Sequence, residues 1–185
     1  MSKPLDDLMA GNARARSSGR ALPQSGERRP TAAVLACTDE RVVPQVIFDH
    51  PPGKIYAVRM AGNVYSHEVA GSLEIAVLRL HCPLILVLGH TDCTAVQMAH
   101  SRERVEGGAY DILRRIRTAI QALPLEAPLV QAVETNVAFT IREIRERCHV
   151  LQEREQAGTL QIAGAIYELE SGLVRFLKED QPGAG

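Results

Sequence analysis

The sequence predicts an α/β fold: a single domain with a mostly parallel central sheet, about four parallel strands plus an added edge strand, flanked by helices. Three observations predict it. Short apolar runs alternate along the chain with longer segments whose apolar residues recur at helical spacing. The run "PLILVLG" (83–89) is apolar on both faces, as a strand in the middle of a parallel sheet must be. The 185 residues favour one domain and suffice for a sizeable core.

Each element follows from local chemistry. Residues 2–18 carry helix formers of mixed charge and read as an N-terminal helix or arm, followed by the loop "ALPQSGERRP". "TAAVLAC" (31–37) is a short apolar run consistent with a buried strand. "VPQVIFD" suits a short helix, stopped by "HPPG". "KIYAVR" (54–59) reads as a second strand and "MAGN" as the loop after it. From Ser66 to His81, the residues Val69, Leu73, Ala76, Val77 and Leu80 mark one helical face. After the third strand at 83–89, helical patterns cover about 93–101, 109–122 and 128–149. "GTLQIAGAIYELESGLVRFL" then gives a strand, a turn at "ESG" and a last short strand, and "KEDQPGAG" reads as a disordered tail. The expected organisation is an N-terminal helical arm and loop at 1–30, an α/β domain at 31–178 and a disordered tail at 179–185.

Composition narrows the function classes. Apolar content of 45% and charged content of 23% are those of a soluble globular protein, and a net charge of −1 gives no attraction to nucleic acid or to an anionic membrane. No apolar run approaches the ~20 residues that span a bilayer, and the start lacks the apolar core of a signal peptide. A cytoplasmic protein is expected. In that reducing setting Cys37, Cys82, Cys93 and Cys148 point to metal binding or catalysis rather than to a disulfide framework, with buried apolar thiols as the alternative for any single one.

Two motifs end two of the predicted strands: Cys37-Thr-Asp39-Glu-Arg41 after the first and His90-Thr-Asp-Cys93 after the third. Ligands gather at the carboxyl ends of strands in open α/β sheets, near the point where strand order reverses, so the two motifs can meet in space. Cys37, His90 and Cys93 then form a Cys₂His set, which matches a catalytic zinc site with a fourth position left open. A helix starting at Cys93 favours its thiolate, the form that binds metal. Alternate residues of an extended segment share a face, so Arg41 can hold Asp39 in two hydrogen bonds and keep it ionised. Beside a metal, such a carboxylate can accept a proton or hydrogen bond from bound water, or occupy the open position itself. An ordinary surface ion pair is the alternative.

These residues carry a resemblance. C-x-D-x-R, "VRMAGNV", "GSLEIAV", "LVLGHTDC", "ETNVAFTI" and "IAGAIYELESGLVRFL", in that order over roughly residues 10–177, resemble the β-class carbonic anhydrases. The resemblance implies Zn²⁺ bound by Cys37, His90 and Cys93, with Asp39 and Arg41 as a catalytic dyad and Asp39 as a conditional fourth ligand. It also implies self-association as a dimer or tetramer with the site near the subunit interface, and carbon dioxide and bicarbonate as substrates. The sequence departs from the family pattern at Thr94, where glycine usually follows the last ligand, and at Met60 within the usual "RNAGN". Plant-type members line the pocket with a glutamine, an aromatic residue and a tyrosine; here those positions hold Arg28 (or Gln24 across an insertion), Tyr56 and Ile75. The function expected is zinc-dependent reversible hydration of carbon dioxide. The alternatives are hydrolysis of carbonyl sulfide or carbon disulfide at the same zinc, or a zinc-binding homologue without catalysis.

Among the remaining residues, Cys82 and Cys148 read as buried thiols and Asp92 as an N-cap for the following helix. His67 is either a proton shuttle or a surface histidine. His50, His81, His100 and His149 have no role visible in the sequence. The charges of "RERVEGG" and "RRIR" read as solvated helix faces.

Overall fold

The structure, a computed structural model, describes residues 3–18 and 29–178. The loop positions Arg28 and Gln24 and the tail at 179–185 lie outside the described residues. Five strands form one sheet: β1 (Ala32–Ala36), β2 (Ile55–Arg59), β3 (Leu84–His90), β4 (Gln161–Tyr167) and β5 (Val174–Phe176), in the order β2-β1-β3-β4-β5. The first four are parallel and β5 is the added antiparallel edge strand. The helices are α1 (Lys3–Ser17), α2 (Pro44–Ile47), α3 (His67–Leu80), α4 (Thr94–His100), α5 (Gly108–Ile120), α6 (Leu129–Arg147) and α7 (His149–Gln156). No described helix is long and apolar enough to cross a membrane.

The apolar strand runs bury both sheet faces. Ala33, Leu35, Ile85, Val87, Ile162 and Ile166 face a large core shared with helices α3 to α7. Ala32, Val34, Ala36, Leu86, Leu88 and Ala165 face a smaller one, packed by Ile47 of α2 and by Phe48. Each fully buried Leu, Ile or Val contributes about 1.5–3 kcal/mol relative to exposure, and the strands and the helices packed on them both supply such residues. Helix α3 starts where Ser66 accepts from the Val69 amide, and it ends at left-handed His81, after which the Cys82 amide donates to Ala76.

Two expectations need correction. The helical pattern at 128–149 is α6, but a further helix that the sequence reading did not include follows it: Cys148 leaves helical geometry (φ −118°, ψ 84°), and α7 runs on to Gln156. The Cys148 thiol donates to Glu74, and Arg145 reaches across the corner to Glu155 at 2.6 Å, while α7 buries Leu151 completely. Asp92 is not an N-cap. It takes a left-handed φ of 54°, and Cys93 occupies the cap position without a side-chain bond. Short polar side chains suit both roles, and here the backbone turn wins.

Helix α6 lies close over the sheet because glycine faces it. A Cβ on Gly89 would stand 2.7 Å from Val137 and 3.0 Å from Val133, both stiff β-branched residues in a helix. Gly89→Ala is therefore expected to destabilise the protein by about 1–3 kcal/mol through overpacking. Thermal unfolding checks it, at about 2–4 °C of melting temperature per kcal/mol for a chain of this size.

Candidate metal centre

The chain runs from β1 through α2 to β2 on one side, then through α3 back past β1 to β3 on the other. The strand order thus reverses at β1, and the carboxyl ends of β1 and β3 lie side by side at the reversal. Cys37 directly follows β1, His90 ends β3, and the left-handed turn at Asp92 brings back Cys93 just ahead of α4. All three are buried, and their ligand atoms lie within 4.8 Å of one another. Cys37 Sγ and Cys93 Sγ are 3.9 Å apart. Two thiolates at ~2.3 Å from a tetrahedral zinc stand roughly 3.8 Å apart, so the sulfurs fit that metal.

The histidine fits as well. His90 Nδ1 lies 2.8 Å from the Thr91 carbonyl. A carbonyl only accepts, so Nδ1 carries the proton and Nε2 presents a bare lone pair. That Nε2 is shut from solvent and has no partner among the described residues. Buried polar atoms are normally satisfied, and a cation between the two sulfurs would supply what is missing. The Cys37 thiol is held well below its usual range, first by its hydrogen bond with Cys93, against burial, and then by His90 and the amides of Asp39 and Gly62. The same contact and burial raise Cys93, opposed by the amides of Val96 and Ala95 at the start of α4.

Asp39 stands beside this triad, its Oδ2 4.0 Å from His90 Nε2. Arg41 holds it in a fork, with Nε 2.9 Å from Oδ1 and Nη2 2.7 Å from Oδ2, and the Arg41 amide adds a third bond at 3.0 Å. The Arg41 hydrogen bonds lower the Asp39 carboxyl to about 2. Asp39, Cys37 and Thr94 border a cavity of about 340 Å³ whose far wall is apolar, formed by Met98, Ile112 and Leu113.

Known proteins resemble this chain in sequence and in fold. The family described as "Carbonic anhydrase" matches residues 32–174. The chain is 36% identical to a carbonic anhydrase of Mycolicibacterium smegmatis over 80% of this chain and 75% of that one. It is 33% identical to carbonic anhydrase 2 of Mycobacterium tuberculosis over 78% of this chain and 73% of that one. The β-carbonic anhydrase of the fungal pathogen Aspergillus fumigatus superposes with a TM-score of 0.79 at 24% identity, covering 97% of this chain and 93% of that one. A tetrameric β-carbonic anhydrase of Sordaria macrospora does so at 0.78 and 20% identity, covering 92% and 94%. The chain belongs to the β-carbonic anhydrase family.

Several residues of this β-carbonic anhydrase site carry no motif that spacing alone would flag. Arg59, at the end of β2 and in register with Ala36, donates from Nε to the Cys37 carbonyl at 3.1 Å and from Nη2 to the Asp39 carbonyl at 2.6 Å. It thereby clamps the backbone on both sides of Thr38. The Gly62 amide donates to Cys37 Sγ at 3.3 Å, and Asn136 of α6 fixes Gly62 through its carbonyl at 2.8 Å. Gly62 takes a φ of 63°, and a Cβ there would stand 2.7 Å from Ile116. Of the departures from the family pattern, Thr94 lines the cavity and Ile75 is exposed on α3; Tyr56, which matches the family's aromatic position, is half-buried against the larger core, and neither Ile75 nor Tyr56 borders the cavity.

Asn136→Ala would leave the buried Gly62 carbonyl without its donor, at a cost of about 1–3 kcal/mol in denaturant unfolding. Because the Gly62 amide donates to the sulfur of Cys37, a candidate metal donor, the same substitution is expected to weaken uptake of added Zn²⁺ by about 10–100-fold in competition with a chelator.

Proposed function

We propose that this chain catalyses the reversible hydration of carbon dioxide to bicarbonate and a proton, on zinc held by Cys37, His90 and Cys93. The convergence of the three donor atoms within 4.8 Å, beside a carboxylate and an apolar-walled cavity, carries the reading. Zinc bound there would supply Lewis acidity, lowering the pKa of water so that hydroxide is available near neutral pH to attack the carbon.

The chain's own residues do the rest. The thiolates of Cys37 and Cys93 fully offset a dication's charge, so acidification is weaker than with three neutral histidines, and a proton acceptor has more to do. Asp39 is that acceptor: ionised by the Arg41 fork, it takes a hydrogen bond or proton from the attacking water and orients it toward the cavity. Arg41 acts through Asp39, as a positioning residue. The apolar wall of Met98, Ile112 and Leu113 receives carbon dioxide, which has no net dipole to satisfy. As a conditional fourth metal ligand, Asp39 would use Oδ2, which accepts only from Arg41 Nη2 and faces His90 Nε2 at 4.0 Å.

A cytoplasmic setting belongs to the same reading and is supported by the four free thiols. Self-association as a dimer or tetramer is supported by unpartnered apolar surface. Helix α1 buries none of its residues, and Leu8 and Met9 are exposed on it, as are Ile75 and Leu78 on α3 and Phe176 on the edge strand β5.

Stopped-flow hydration of carbon dioxide with parallel metal analysis tests the activity. Turnover is expected to rise from pH 7 to pH 9; Asp39 stays ionised throughout that range, so the rise reports proton loss from water. Asp39→Asn is expected to lower kcat/KM by about 10²–10⁴-fold while zinc content holds. Full zinc occupancy with no hydration above background would leave a non-catalytic zinc protein. The apolar cavity wall also admits carbonyl sulfide and carbon disulfide, and turnover of carbon dioxide and carbonyl sulfide on one preparation ranks the two readings. For assembly, Leu8→Glu with Met9→Glu is expected to shift sedimentation toward smaller species, and an unchanged profile would remove α1 from the interface.

A further inference from the structure

Three of the arginines of "RERVEGG" and "RRIR", Arg102, Arg114 and Arg117, are not merely a solvated face. Arg114, Arg117, Thr118 and Gln121 recur at i, i+3, i+4 and i+7, one side of the C-terminal half of α5 and its cap. Together with His100 and Arg102, from the end of α4 and the turn after it, they line a cavity of about 450 Å³. That volume is in the range of small-molecule sites. This cavity is separate from the one at the metal centre. The two share α4 and α5, but the metal-centre cavity is lined by Met98, Ile112 and Leu113 and this one by the arginine-bearing side.

No acidic side chain lines the cavity. Arg102 pairs with no acid among the described residues, although its backbone is held in the left-handed region at φ 56°. Arg114 has only Asp111, a neighbour on its own helix, with Nε 3.6 Å away, beyond hydrogen-bond length. Arg117 donates from Nη2 to the Glu103 carbonyl, and its Nε, shut from solvent, has no acceptor among the described residues. Three arginine side chains therefore border one space, and Asp111, outside the lining, is the one acid paired with any of them among the described residues. His100 gives its Nε2 proton to the Ala127 carbonyl at 2.9 Å, fixing the loop that closes the far side. That loop contributes Leu123 and Leu125, and with Ile120 they supply the aliphatic part of the lining.

We propose that this cavity binds a small phosphorylated metabolite, its phosphate held by Arg102, Arg114 and Arg117 and its non-polar part packed on Ile120, Leu123 and Leu125. Guanidinium forks match phosphate oxygens in pairs, which favours a phosphate dianion over a halide. Thr118 and Gln121 add neutral donors beside the charges. The wall of aliphatic side chains distinguishes an organic phosphate from the inorganic ion, which has nothing to place there.

Isothermal titration of the full-length, zinc-loaded protein with inorganic phosphate, pyrophosphate and AMP, at ionic strength matched with chloride, tests the assignment. Saturable binding of AMP is expected, tighter than that of inorganic phosphate. Arg102→Gln and Arg114→Gln are each expected to weaken it about tenfold, the loss of one charge-assisted hydrogen-bonding group. Both side chains are at the surface, and unchanged thermal unfolding of the variants shows that the fold is kept. Arg104→Gln, which alters an exposed arginine outside the cavity lining, is expected to leave binding as it was. Absence of saturable AMP binding overturns the proposal. So does AMP binding no tighter than phosphate, or binding that survives both cavity substitutions, which then belongs to the metal centre or to diffuse surface charge.

Discussion

The chemistry of this molecule depends on the parallel pairing of β1 with β3. Those strands are neighbours in space, Ala33 opposite Ile85 through Ala36 opposite Leu88, yet β2 and α3 intervene along the chain. Because the sheet is extended first on one side of β1 and then on the other, both strands deliver their carboxyl ends to the same point. A sulfur and an imidazole then meet without either strand bending toward the other. The third donor costs only a short left-handed turn.

A second layer makes the meeting rigid. Arg59 ties down two carbonyls of the segment that carries Cys37 and Asp39, and Asn136 fixes the turn whose Gly62 amide points at the Cys37 sulfur. The Thr91 hydroxyl accepts from the Leu169 amide, so the segment between the two later ligands is tied to the chain beyond β4. Each side chain serves the backbone rather than the metal. Positions so constrained keep ligand atoms in place at little entropic cost on binding.

Much of this was legible in the sequence. Two-sided apolar runs identify buried parallel strands, and strands that end in Cys37 and in His90-Thr-Asp-Cys93 place the donors because strand ends are where such sheets present side chains. What was not legible has physical causes. Helix α7 was not read from the sequence, and the corner at Cys148 that sets it off from α6 is held by Glu74, far away in the chain. Asp92 carries side-chain chemistry that suits a cap and a left-handed turn alike, and only the three-dimensional path of the chain chooses. Asn136 and Gly62 are joined across 74 positions, a pairing that no local pattern encodes. The arginines of α5 show their charge in the sequence, but whether acids face them depends on how the preceding and following turns close.

The sequence distance between the two halves of the triad bears on how the protein comes into being. As the nascent polypeptide leaves the ribosome, Cys37 appears with no partner, and neither His90 nor Cys93 exists until more than fifty further residues have been made. Closing so long a loop is entropically costly, and only the formation of the central sheet offsets it. On the proposed reading, metal capture therefore waits on strand pairing, and a chain stalled before β3 carries Cys37 and Cys82 without the His90 and Cys93 donors.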